Sequence, residues 1–262
     1  MNGGGEALAD LRDALARPWL WTVPAWSDIR QRFSGSILGS LWLTANIALI
    51  AAALTFIFGG GGAAAYGYAA YVTIGLVLWY FVQSLMNEAA SLYPAVGDVV
   101  RSSAMPLSAH LLRLVWRNLI VLAHTAIVVP VVLILAGRAP SAAAWTVAPA
   151  LVVLVLAAAG AASLAALLGA RFRDVPQIVV NLMQLLFFLT PVFWTPSALA
   201  PHRLWFVAAN PAFALIDIVR SPLLGGAPAP GSWPVAVAAA VLACLAAAAA
   251  FAACRTRIAY WV

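Results

Sequence analysis

Lysine is absent from this 262-residue chain, and charge of any kind is scarce, with Asp, Glu, Lys and Arg making up 8% of the residues against roughly a quarter in ordinary soluble domains. Without lysine there can be no phosphate loop of the form GxxxxGK[ST]. Any ATP hydrolysis must therefore come from another chain. Cysteine is nearly absent too: Cys244 and Cys254 share the last apolar run, about 15 Å apart along a helix, which is beyond disulfide reach. They read as small buried hydrophobes. His110, His124 and His202 show no metal-ligand spacing. The eight carboxylates form no pair: Glu6, Asp10 and Asp13 lie in the N-terminal segment, Asp28 before the first apolar run, Asp98 and Asp174 in loops on one side, and Asp217 on the other. Only Glu88 falls inside an apolar run. No acid–base constellation emerges, so the chain reads as a non-enzyme with no cofactor or metal site of its own.

What is abundant is apolar. Hydrophobic residues make up 65% of the chain, and the mean hydropathy is +0.99. A soluble core could not hide that much apolar surface, so the chain reads as an all-α integral membrane protein. A crossing needs about 20 apolar residues, and five runs supply them: Ile37 to Phe58, Ala70 to Ala90, Leu114 to Ala136, Ala144 to Ala170, and Trp233 to Cys254. A sixth, Pro176 to Thr190, rises only about 21 Å before Pro191 interrupts it. After it come "RLWFVAAN" and "AFALIDIVRSPLL", each too short to cross and separated by Asn210-Pro211. Two explanations fit. Either a re-entrant pair of short helices dips into the membrane between the fifth and sixth spans, or a tilted, kinked crossing leads into an ordinary loop. "GGGGAAAYGY", Gly59 to Tyr68, reads as a turn of small residues.

Before the first span, Leu8, Leu11 and Leu15 recur at helical spacing and tryptophans follow at 19, 21 and 26. That pattern predicts an amphipathic helix, lying on the membrane surface or packed on a soluble partner. The chain divides accordingly into an N-terminal segment, 1–36, and a six-helix membrane domain, 37–262. Of the 14 basic residues, all arginine, ten fall on one side of this six-span arrangement, Arg138, Arg203 and Arg220 on the other, and Arg117 inside a span. The positive-inside bias puts both termini in the cytoplasm. Arginines placed at the ends of apolar runs suit anionic lipid head groups rather than nucleic acid.

Polar residues inside the spans fall on stripes. Gly75, Trp79, Gln83 and Asn87 repeat every four residues, with Tyr80, Ser84 and Glu88 beside them; Trp42 and Asn46 share a face of the first span; Asn181, Gln184 and Phe188 share one of the fifth. In lipid such groups either join helices or line a path. Mixed aromatic and amide faces suit sugars, whose C–H groups meet rings and whose hydroxyls meet amides. Arg113, Arg117 and His124 follow helical spacing as well. Both arginines can snorkel or pair with Glu88, or form a cationic entrance for a phosphate-bearing substrate.

Four segments carry a family likeness. "SDIRQRFSGSILGSLWLT" (27–44), "VVRSSAMP" (99–106), "RFRDVPQIVVNLMQLLFFLTPVFW" (171–194) and "NPAFALIDIVRSPLLG" (210–225) together resemble, in order, the permease subunits of ABC polysaccharide exporters that carry O-antigen, capsule or teichoic acid. Met105 stands where the family commonly has an aromatic residue. Thr44-Ala45-Asn46 replaces a proline frequent in the first span, as in the capsule and O-antigen branch. The resemblance implies a bacterial inner-membrane permease working as a pair with a second copy of itself, with two copies of a separate ATPase that holds ATP and Mg. Its cargo would be a lipid-linked polysaccharide.

The resemblance further implies that the loop with Tyr93, Pro94, Asp98, Arg101, Met105 and Pro106 couples ATPase movement to the spans. Short helices after Pro191 would close the outer mouth. On this reading Arg30, Arg32, Arg113 and Arg117 receive the lipid diphosphate, and Trp42, Asn46, Trp79, Tyr80, Gln83, Asn87, Gln184 and Phe188 line the glycan path. Three competitors remain: a permease of the same architecture for a smaller lipid, drug or teichoic acid precursor, a proton-coupled carrier using Glu88, and a membrane-bound transferase.

Overall fold

The computed structural model describes residues 3–262 except 36–38, 40 and 104. The expected start of the first span at Ile37, and with it the boundary between the two predicted segments, lies outside the described residues.

Two helices precede the spans, α1 (Gly3–Ala16) and α2 (Trp19–Phe33); the sequence reading foresaw only the first. Leu8, Leu11 and Leu15 of α1, and Trp19, Val23 and Trp26 of α2, are all exposed, while Ala14 and Ala25 are fully buried. The pair thus turns its apolar face away from the bundle, as an interfacial helix does. The side that packs is narrow and made of small residues with one buried acid, while Asp13 and Arg17 stay exposed. Asp10, expected on the free side, is buried and accepts hydrogen bonds from the Leu107 and Ser108 amides at 3.0 and 2.9 Å, so it acts as an N-cap supplied by another helix. Trp21 meets Trp116 edge-on at 5.7 Å.

The apolar helices are α3 (Leu41–Phe58), α4 (Ala63–Ala90), α7 and α8 (Leu107–Thr125 and Val128–Leu135), α9 (Val147–Arg171), the shorter α10 (Val175–Leu189) and α13 (Ser232–Trp261). Between α4 and α7 lie two short helices, α5 (Leu92–Ala95) and α6 (Gly97–Ser102). Five spans are long and apolar enough to cross a membrane, α7 and α8 counting as one, while α10 is shorter at 15 residues. Several helices outrun the hydropathy pattern: α4 starts at Ala63 rather than Ala70, α7 at Leu107 rather than Leu114, and α13 runs to Trp261 rather than Cys254. Helical hydrogen bonding persists past the apolar stretch, so hydropathy marks the lipid and not the helix end.

α4 is the hub, with 61% of its apolar window buried against 11% for α3. Small residues permit its closest crossing: an added Cβ at Gly169 of α9 would stand 1.8 Å from the Ala90 carbonyl oxygen. α9 meets α13 in the same way, where a Cβ at Gly160 would stand 2.7 Å from the Ala243 carbonyl carbon. Such pairs let membrane helices approach by their backbones.

After α10, two helices meet at 88°, one of them Pro201–Ala208, which includes α11 (Leu204–Ala208), and the other α12 (Pro211–Leu223). Between them Asn210 accepts from the Ala212 and Phe213 amides at 2.9 and 3.2 Å. Asn at the cap and Pro at the first helical position are a strong helix start. The Asn210 amide also donates to Thr190 Oγ1 at 3.1 Å, which ties α12 to the end of α10. This bent pair, a broken span or a re-entrant element, stands where run lengths and prolines predict short helices.

Candidate functional site

α10 stops because Pro191 cannot donate to the helix ladder, and the buried carbonyls around the break must then find other donors. α4 and α12 provide them. The Tyr71 hydroxyl donates to Pro191 O and Trp194 O at 3.2 and 3.0 Å, and Tyr68 donates to Phe193 O. Arg220 donates to Pro191 O at 2.9 Å, its guanidinium lying 3.8 Å from the Tyr71 ring centre. Arg220 and Asp217, assigned by the sequence to the side opposite most of the arginines, are both buried. Asp217 accepts from Ser221, Ser232 and the Ala229 amide at 2.6–2.7 Å. Tyr68 and Tyr71 went unpredicted because their carbonyl partners lie more than a hundred positions away, which no local spacing reveals.

Below this latch, a cavity of about 300 Å³ opens between α3, α4 and α10. Six of the eight predicted path residues line it: Asn46, Trp79, Tyr80, Gln83, Gln184 and Phe188. Phe187 joins them, 5.9 Å from Trp79 and 5.4 Å from Phe193. The remaining two lie elsewhere. Trp42 is 63% exposed on the outside of α3, and Asn87 lines a second cavity one turn further along the same α4 stripe.

That second cavity, about 460 Å³, lies at the end of the bundle where α4, α5 and α7 meet. Glu88, Asn87, His110, Arg113 and Arg117 face it. A network of five charges runs along its edge: Arg113 pairs with Asp28, Arg117 with both Asp28 at 3.1 Å and Glu88 at 2.7 Å, and Arg32 with Glu88 at 3.2 Å. Asn118 adds a hydrogen bond to Glu88 at 2.9 Å. Three arginines facing two carboxylates leave a local excess of positive charge. Three of the four predicted head-group arginines are therefore gathered here, held by carboxylates on α2 and α4; Arg30, also on α2, makes no ion pair among the described residues.

Beside this cavity is the predicted coupling segment. Tyr93 is buried at 2% exposure, and burial pushes its phenol well above the usual tyrosine value. Pro94 lies within α5, Asp98 and Arg101 pair at 2.6 Å on α6, and Arg101 also donates to the Val262 carbonyl. Met105 and Pro106 lead directly into α7, whose first amides Asp10 caps. The segment is thus wedged between the C-terminus and the interfacial helices.

Residues 20–224 match the ABC-2 type transporter family. Two curated relatives, both named O-antigen export system permease protein RfbA, from Klebsiella pneumoniae, are 24% and 23% identical over 201 residues, covering 76% of this chain and 78% of theirs. With an all-helical membrane fold and two polar cavities along one central helix, the chain belongs to the ABC-2 type transporter family: it is a multi-pass transport permease that works with an ABC ATPase.

Proposed function

We propose that this permease exports a lipid-linked, O-antigen-like polysaccharide across the bacterial inner membrane, as a pair of copies driven by two ATPase subunits, with both termini in the cytoplasm. The observation that carries the reading is the α4 stripe: Trp79 and Gln83 on one cavity and Asn87 on the next. Trp79 Nε1 and Asn87 Oδ1 are buried without a protein partner among the described residues. Buried polar groups cost free energy unless hydrogen-bonded, and a hydroxyl-bearing cargo supplies the missing bonds. The two relatives, named for O-antigen export, agree with this substrate class.

Pairing has its own support. Asn46, Asn181 and Gln184 are exposed on α3 and α10, and amides at membrane depth need a neighbour other than lipid. A second copy covering this face would provide one and would close the open side of the Asn46–Gln184 cavity. The arginine bias favours the cytoplasm for the end bearing α1 and α2. There Arg32 and its neighbours would meet the lipid diphosphate, and α5 and α6 would receive the ATPase.

The test is deletion of the chain in its host. Export failure with lipid-linked polymer accumulating inside the cell supports the proposal. Increased drug sensitivity with normal surface glycan overturns it in favour of a small-molecule exporter.

A further inference from the structure

The cavity at the α4–α7 corner holds polar atoms that its ion-pair network leaves unsatisfied. His110 is 2% exposed, yet neither ring nitrogen has a protein partner among the described residues; the same is true of Asn87 Oδ1 and Arg117 Nε. All three residues line the cavity of about 460 Å³, together with Ser91. Orphaned buried groups of this kind are rare, and their residues line a space large enough for a small polar molecule.

The mixture of groups identifies the guest. Arg117 Nε is a donor, Asn87 Oδ1 an acceptor, and an imidazole with one proton offers one of each. A phosphate dianion only accepts, and it would meet the Glu88 carboxylate in the same wall. The terminal nitrogens of Arg117, moreover, are already held by Asp28 and Glu88. An apolar chain would leave every one of these groups unpaired. A hydroxyl both donates and accepts, so a sugar ring satisfies the whole set.

We propose that this cavity binds the first sugar of the lipid-linked substrate, the unit next to the diphosphate, through its hydroxyls, while the arginine rim holds the phosphates outside it. The inference rests on the export function above and adds a sugar subsite, built on His110 and Asn87, beside the arginine ion pairs. His110, in the first turn of α7, is its central residue.

The experiment uses the intact transporter, permease and ATPase together, in lipid nanodiscs. Two probes are compared: a polyprenyl diphosphate without sugar and the same lipid carrying one hexose. Wild type is expected to bind the hexose lipid about tenfold more tightly, as one to two hydrogen bonds would give. His110→Phe fills the space but removes both nitrogens, and it should erase that tenfold gain while leaving the sugar-free lipid unchanged. His110→Gln keeps a donor and an acceptor and should retain most of the gain. Equal binding of the two lipids by wild type, a gain that survives His110→Phe, or a parallel loss of both lipids in that variant each overturns the sugar subsite. Failure of wild type to bind either lipid overturns the export function as well.

Discussion

Arg117 bridges two carboxylates from two different helices, Asp28 of α2 and Glu88 of α4, whereas Arg32 touches Glu88 alone and is 43% exposed in its side chain. Removing a half-buried cation that serves two anions leaves both uncompensated, which is costly at low dielectric. Removing an exposed one leaves Glu88 still held by Arg117 and Asn118.

Arg117→Gln is therefore expected to destabilise the protein by about 3 kcal/mol, and Arg32→Gln by less than about 1 kcal/mol. Unfolding in mixed detergent micelles, followed by helical circular dichroism, measures both. Equal losses would count against the bridging role. In transport assays the order should reverse relative to stability, with Arg32→Gln slowing export despite a normal fold.

The crossing of α4 and α9 makes a second prediction. A Cβ at Gly169 would stand 1.8 Å from the Ala90 carbonyl oxygen, a backbone atom that no side-chain rotation can move. Gly169→Ala is expected to destabilise by about 3 kcal/mol, and the neighbouring Ala170→Gly by about 1 kcal/mol. An unchanged unfolding midpoint for Gly169→Ala would mean that the two helices are further apart than described.

The latch at the end of α10 can be released through Arg220. It gives the only buried guanidinium to the Pro191 carbonyl among the described residues and lies against the Tyr71 ring. Arg220→Gln should destabilise by about 2 kcal/mol. The more specific readout is cysteine labelling at Val192, which is fully buried. An introduced Val192→Cys should be inert in the parent and react quickly in the Arg220→Gln background. Equal labelling rates would exclude a latch.

Alkaline pH probes Tyr93. Its phenol is pushed upward by burial, so the folded state keeps a proton that the unfolded chain releases above about pH 10. The unfolded state then binds fewer protons, and stability falls as pH rises, by up to about 1.4 kcal/mol per pH unit. Because the chain has no lysine, no ammonium groups titrate in the same window. Tyr93→Phe should flatten the loss between pH 10 and 11 in unfolding experiments, and an identical slope would show that other tyrosines carry it.

The sequence by itself determined the class, the approximate place of the five long spans, and the break at Pro191, because each follows from run length, hydropathy and the chemistry of proline. It also placed the aromatic and amide stripe of α4, since helical spacing is local. Only the tertiary structure decided what those residues meet. Trp42 and Gln83 look alike as stripe members, but packing turns one outward and the other into a cavity. Asp10 lies on an amphipathic helix whose other polar residues, Asp13 and Arg17, stay exposed, and only contact with α7 buries it. Arg220 and Asp217 could be assigned a side of the membrane from the sequence but not their burial, because burial of a charge depends on what surrounds it in space rather than along the chain.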